Sequence, residues 1–217
     1  MTVTVVIYFW RLKGTMPVDV DSLGLGYPLA LVVGAVAGGY GFGSFNLILT
    51  GVDQYGRSIV GALTGAIFAV EVFKWRQGIR SSTGLIFVPG FCTSLVVGRF
   101  GCFFSGLEDW THGTATSFSW GYDFGDGVLR HPVQLYESGL MAAFLLFAVV
   151  MLARRSPFFY RNGFYLMVGT YAFQRFWWEF LKPYATPIGP FNTFHFLCAG
   201  LMAYALVMLL RNQNVRT

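Results

Sequence analysis

Six stretches of this chain, 24–48, 58–74, 84–105, 132–153, 162–181 and 191–210, are apolar over lengths that suit a lipid bilayer. A helix needs roughly 17–25 residues to cross the hydrocarbon core. Only helices and closed barrels satisfy their backbone hydrogen bonds there. The runs are long and do not alternate, so they read as helices rather than barrel strands. Composition agrees: 55% of the 217 residues are hydrophobic and 12% charged, where a soluble domain carries about 25% charged. The expected fold is all-α: a polytopic transmembrane helical bundle of about six spans, with a longer extracytoplasmic loop region over 106–131. One integral-membrane domain, 1–217, is expected, with 1–23 an interfacial segment too short to span. The opening MTVTVVIYFWRLKG has no basic stretch before its short apolar run and no small-residue cleavage site after it, so no cleavable leader is expected.

Loop charge predicts the orientation. KWRQGIR (74–80), RRSPFFYR (154–161), the tail RNQNVR (211–216) and Arg11–Lys13 are basic, whereas 106–130 is net acidic and KPYATPIG carries a single Lys. Six alternating helices put every basic segment on one side, so both termini are expected in the cytoplasm. The net charge of +5 then reads as positive-inside loops and attraction to anionic lipid, not as a nucleic-acid surface. Cys92, Cys102 and Cys198 have no metal-ligand spacing and read as small buried hydrophobes.

Against this apolar background a few ionisable residues stand out. Arg99 lies in CTSLVVGRFGCFF, Glu137 in HPVQLYESGLMAAFLLF, and Arg175 with Glu179 in LMVGTYAFQRFWWEF. A charge facing lipid costs a few kcal/mol or more, so such residues turn inward, pair or line a wet cavity. The predicted topology puts these four, with His131 and His195, in the outer half of the membrane. Glu71 alone lies toward the cytoplasmic face, where Lys74 can pair with it. A polar chamber open to the outer leaflet is expected. Charges at one level only do not suit a through-pore.

Two arginines at headgroup depth suggest phosphate, because guanidinium stays charged and presents a planar fork to phosphate oxygens. Arg175 and Glu179 also share a helix face at i,i+4, so an internal ion pair that merely holds helices together is the bland alternative. His131 and Glu137 are candidate proton handlers, against an interfacial role for His131. Tyr136 and Tyr171 suit either an interfacial belt or hydrogen bonds to a headgroup. The connection 106–131, with Trp110, Trp120 and Tyr122, is long for a passive loop and suits a lid or platform. No nucleotide loop or metal-binding motif is present, so neither metal nor cofactor is expected.

GRFGCFFSG (98–106), RHPVQLYE (130–137) and YAFQRFWWEF (171–180), in this order, resemble the three hallmark stretches of the prolipoprotein diacylglyceryl transferase family: GRxGNFxNGE, RHPxQLYE and YGxFRxxxEFxR. The resemblance covers about residues 56–200. It implies a multi-pass bacterial inner-membrane enzyme that moves the diacylglyceryl group of phosphatidylglycerol to the thiol of a lipobox cysteine in a secreted precursor, without cofactor. Carried over, Arg99, His131, Glu137, Arg175 and Glu179 are the expected catalytic residues. Arg99, Gln134, Tyr136, Tyr171, Arg175 and Lys182 are the expected headgroup contacts, Lys182 standing where the family has a second arginine.

The chain also departs from the pattern. The family's HGGLIG reads VGALTG here, putting Val60 in place of its histidine. Cys102 replaces the asparagine of the first motif and Leu107 its closing acid, with Glu108 adjacent. Tyr40 replaces an early arginine, and the family's first transmembrane helix has no counterpart. The departures motivate further readings: a transferase with another acceptor, a protein working with a partner subunit, or a non-catalytic phospholipid-binding relative.

Overall fold

A computed structural model describes residues 2–14, 23–108 and 110–214. Its helices are α1 (Thr2–Ile7), α2 (Gly26–Leu49), α3 (Ile59–Arg76), α4 (Val88–Phe104), α5 (Val133–Ala153), α6 (Pro157–Glu179) and α7 (Thr193–Asn214). Each of the six stretches expected to span holds one long helix. Four segments, Gly26–Leu49, Leu85–Phe104, Val133–Ala153 and Thr193–Asn212, are long and apolar enough to cross a membrane. By contrast α3 carries Glu71, Lys74 and Arg76, and α6 carries Arg161, Asn162, Gln174, Arg175 and Glu179.

The largest boundary difference from expectation is at the start of α6; α4 starts four residues later than expected and α7 ends four residues later, at Asn214. The segment predicted over 162–181 starts at Pro157, so Phe158–Arg161 belong to α6 and not to a basic loop. Ser156 is the cause: its side chain accepts the Phe159 N–H at 3.4 Å, and Pro157 fills the first helical position, where a missing N–H costs nothing.

Burial runs opposite to that of a water-soluble helix. On α2 the buried residues are Tyr27, Gly34, Gly38, Gly39, Gly43 and Asn46, while Leu29, Val32, Val33 and Val36 face outward. On α5, Gln134, Glu137 and Ser138 are inside and Leu140, Leu146 and Phe147 outside. Lipid is as apolar as leucine, so membrane helices associate through small and polar residues and leave the large apolar ones to the bilayer.

The chain divides into two compact units, Gly84–Pro183 with the N-terminal residues to Lys13, and Gly14–Thr83 with Tyr184–Thr217. In the first, α4 packs on α5, α5 on α6, and α1 against α4. Residues 1 and 15–22 of the predicted 1–23 interfacial stretch lie outside the described residues. The helix α1 runs on through one wide turn, Tyr8–Leu12, and the Tyr160 hydroxyl donates to the Arg11 carbonyl at 3.1 Å. Trp10 and Phe9 stay exposed under Arg11 and Lys13, 4.5 and 5.2 Å from their ring centres.

The connection 106–131 adds what an all-α expectation omits, a small antiparallel hairpin of β1 (Tyr122–Asp123) and β2 (Leu129–Arg130). Asp123 Oδ1 accepts the N–H groups of Gly125, Asp126 and Gly127 at 2.9–3.1 Å. Gly125 and Gly127 supply the positive φ this turn requires.

In the second unit α2 lies on α3, and α3 meets α7. The α2–α3 contact is backbone on backbone: a Cβ on Gly38 would strike the Gly61 carbonyl, and one on Gly65 the Gly34 carbonyl. Glu71 pairs with Lys74 at 2.8 Å as expected, and it also accepts the Tyr204 hydroxyl at 2.8 Å. At the start of α7, Asn192 Oδ1 accepts the backbone N–H groups of Phe194 and His195, while the Asn192 N–H donates to His195 Nδ1 at 3.0 Å. His195 is thereby engaged in capping its own helix.

Candidate functional site

The site lies within the unit Gly84–Pro183 and is built around one carboxylate. Glu137 stands on the second turn of α5 with no solvent exposure. Arg99 Nε, from α4, meets its Oε2 at 2.5 Å. Arg175 Nη1, from α6, donates to its Oε1 at 2.5 Å. Lys182 Nζ, just past the end of α6, reaches the same oxygen at 2.9 Å. The other arm of Arg175, Nη2, pairs with Glu179 Oε1 at 2.5 Å.

All five side chains are buried. Three cations, Arg99, Arg175 and Lys182, face two carboxylates, Glu137 and Glu179, so the cluster carries one surplus positive charge. Removing one ion from water costs several kcal/mol, which pairing and hydrogen bonds must offset. A surplus cation among apolar helices therefore favours binding an anion. The expected i,i+4 pair of Arg175 and Glu179 is present, but it does not neutralise the arginine alone, because Glu137 shares the guanidinium. Arg99, with no acid nearby in sequence, finds Glu137 across the helix contact.

Local packing aims these groups. The Ser138 hydroxyl donates to the Val96 carbonyl at 3.0 Å, locking α5 on α4 one turn from Arg99. Tyr171 is fully buried and packs edge-on against Phe91 with ring centres 5.2 Å apart. The Thr114 N–H donates to the Leu181 carbonyl at 2.6 Å, tying the outer connection to the segment that carries Lys182.

The second motif divides between this cluster and its rim. Gln134 is fully buried and its Nε2 donates to Thr111 Oγ1 at 3.3 Å. His131 is half-buried on the rim. Its backbone pairs with Gly113 and Thr114, and its Nδ1 lies 3.4 Å from the Tyr136 hydroxyl. Tyr136 in turn packs on Trp178 with ring centres 5.2 Å apart. Among the described residues, His131 joins no ion pair of the cluster.

The platform expected over 106–131 has substance. Tyr122 and Phe124 of the hairpin pack on Phe103 of α4 at 4.7 and 5.6 Å. Phe118 and Trp120 stack in parallel at 4.7 Å, and Phe118 lies 5.7 Å from the His131 ring. Arg130 pairs with Asp126 at 2.6 Å, which holds the exposed Asp126 carboxyl below the usual carboxylate range. One further residue carries no signal in the motifs: Gln174, next to Arg175, is 2% exposed.

Comparison with known proteins agrees with the geometry. A family profile described as prolipoprotein diacylglyceryl transferase matches residues 2–211. A phosphatidylglycerol–prolipoprotein diacylglyceryl transferase of Nitratidesulfovibrio vulgaris (strain DP4) is 33% identical over 163 residues, 71% of this chain and 58% of the relative. The similarly named protein of Campylobacter lari is 33% identical over 144 residues, 64% of this chain and 50% of that protein. A Campylobacter jejuni relative is 32% identical over 129 residues, 59% and 45% of the two chains. This chain thus spans about half the length of the curated relatives it matches. No solved structure matches. With a profile match over nearly its whole length, and hallmark residues of all three motifs meeting at Glu137, this chain belongs to the prolipoprotein diacylglyceryl transferase family.

Proposed function

We propose that the chain is a membrane transferase that moves the diacylglyceryl group of phosphatidylglycerol to the thiol of a lipoprotein-precursor cysteine. In this reading both termini are cytoplasmic and the Glu137 cluster opens to the outer leaflet of a bacterial inner membrane. The observation that carries it is the buried cluster with one positive charge in excess, fed by α4, α6 and the segment after α6. That is chemistry suited to one phosphodiester at headgroup depth.

Arg99, Arg175 and Lys182 hold the phosphate and stabilise the charge that builds on the departing group. Glu137 and Glu179 position those cations. Gln134, Tyr136 and Tyr171 contact the headgroup. His131 takes the thiol proton, because thiolate is the competent nucleophile. The sulfur then bonds to the glyceryl carbon, the carbon–oxygen bond to phosphate breaks, and its electron pair leaves with glycerol phosphate. No cofactor enters. Vesicles of phosphatidylglycerol with the full chain and a lipobox peptide test this directly. Equimolar thioether and glycerol phosphate are expected, and no release, with or without partner proteins, would overturn the activity.

A second reading rests on Val60, a fully buried apolar side chain where the resemblance expects a histidine. On this reading the chain, lacking that imidazole, binds phosphatidylglycerol and does not turn it over alone. Lipid binding without glycerol phosphate release, restored to turnover by a partner subunit, would favour it.

A further inference from the structure

Gln174 stands apart from the charged cluster it borders. Its carboxamide is buried, and neither Oε1 nor Nε2 has a hydrogen-bond partner among the described residues. A buried amide with neither donor nor acceptor satisfied is costly, so native proteins rarely keep one without cause. Trp178, one turn further along the same face of α6, also has its indole Nε1 without a partner. On α5, Gln134 keeps one amide function engaged by Thr111 while its Oε1 has none. Neutral donors and acceptors are thus held beside a guanidinium cluster, and all three residues belong to the unit that contains it.

We propose that Gln174 is a specificity-determining residue that reads the hydroxyl groups of the lipid headgroup, with Trp178 and the Gln134 carbonyl as its neighbours in the same subsite. The inference rests on the phosphatidylglycerol reading above. Residue spacing on α6 sets the chemistry. Gln174 shares its face of α6 with Trp178, whose ring packs on Tyr136, about 100° around the helix from the Arg175 that takes the phosphate, so Gln174 meets headgroup atoms a few bonds beyond that phosphate. A glycerol hydroxyl at that distance both donates and accepts, matching Oε1 and Nε2 together. An ammonium headgroup donates but cannot accept from Nε2, and a trimethylammonium group does neither. Both also bring positive charge toward a cluster already one charge in excess. Sites built to bond a hydroxyl reject analogues that lack it, because their own polar groups are left unsatisfied.

The test compares phosphatidylglycerol with phosphatidylpropanol, which keeps the phosphodiester charge and lacks headgroup hydroxyls. The full chain in nanodiscs of neutral lipid is titrated with each, and bound lipid is counted by native mass spectrometry. Glycerol phosphate or propyl phosphate release is followed in parallel. Wild type should prefer phosphatidylglycerol by at least about tenfold. Gln174→Met, of equal length, should erase most of that preference by weakening phosphatidylglycerol alone, and should melt at or above the wild-type temperature because a buried unsatisfied amide is gone. Gln174→Asn should keep part of the preference. An unchanged preference in Gln174→Met, or a lowered melting temperature with the preference intact, overturns the proposal and assigns Gln174 to packing. Preference without any release would sustain the Gln174 subsite and remove the transferase activity, so the two readings fail separately.

Discussion

Two helix carboxylates in this chain have opposite surroundings. Glu71, on α3, has one cation a turn away and one tyrosine hydroxyl, and its side chain keeps 30% exposure. Glu137, on α5, has none and takes cations from three other segments. A balanced local pair only keeps a charged helix tolerable near a membrane boundary. A cluster assembled from separate segments with charge left over costs too much to be incidental. Acid beside base in an apolar helix is therefore not diagnostic; the sign left over after pairing is.

Removing each acid tests that contrast most severely. Glu137→Gln leaves three cations facing one carboxylate. It should lower stability in detergent by about 3–5 kcal/mol and abolish lipid turnover. Glu71→Gln strands the buried Lys74 beside a partly exposed amide, and should cost less, about 1–3 kcal/mol, measured by the same thermal shift. Comparable losses would erase the distinction. Arg175→Lys comes next, because a lysine cannot bridge Glu137 and Glu179 while presenting a fork to phosphate. A fall of about 100-fold in glycerol phosphate release is expected with the fold retained.

The two units also differ in how helices are held. In one the α2–α3 seam is glycine on glycine, so Gly38→Val should cost about 2 kcal/mol, while Val33→Ala on the lipid-facing side should leave the melting temperature within error. Lys182→Met removes the surplus charge without stranding an acid. Lipid affinity should fall about tenfold, one good charge contact, with little change in stability. The smallest effect belongs to the hairpin. Asp126 is held below its ordinary range first by the hydrogen bond from Arg130. Its contribution is therefore full above the usual carboxylate pKa and fades as pH falls below it. Protease cleavage of the hairpin should distinguish wild type from Asp126→Asn most clearly at pH 6, and the difference should shrink steadily as pH falls below the ordinary aspartate value of about 3.9.

Much of this was legible in the residues alone, for identifiable reasons. Apolar length revealed the six helices, and loop charge put Arg99, Glu137, Arg175 and Glu179 at one predicted depth. Spacing of four revealed the Arg175–Glu179 pair. Glu137 as the shared centre was not legible, because helix rotation decides which residues meet. The start of α6 was misplaced because the charges of RRSPFFYR outweigh the Ser–Pro cap that begins a helix there. Gln174 escaped notice for another reason: whether an amide inside an aromatic stretch finds a partner is a property of packing, which no local pattern records.

The most direct measurement is a cryo-EM map of the full chain in phosphatidylglycerol nanodiscs. A phosphate within hydrogen-bond reach of both Arg99 and Arg175 is the expected result. A closed cluster of ion pairs, with lipid phosphate seated elsewhere, would contradict it.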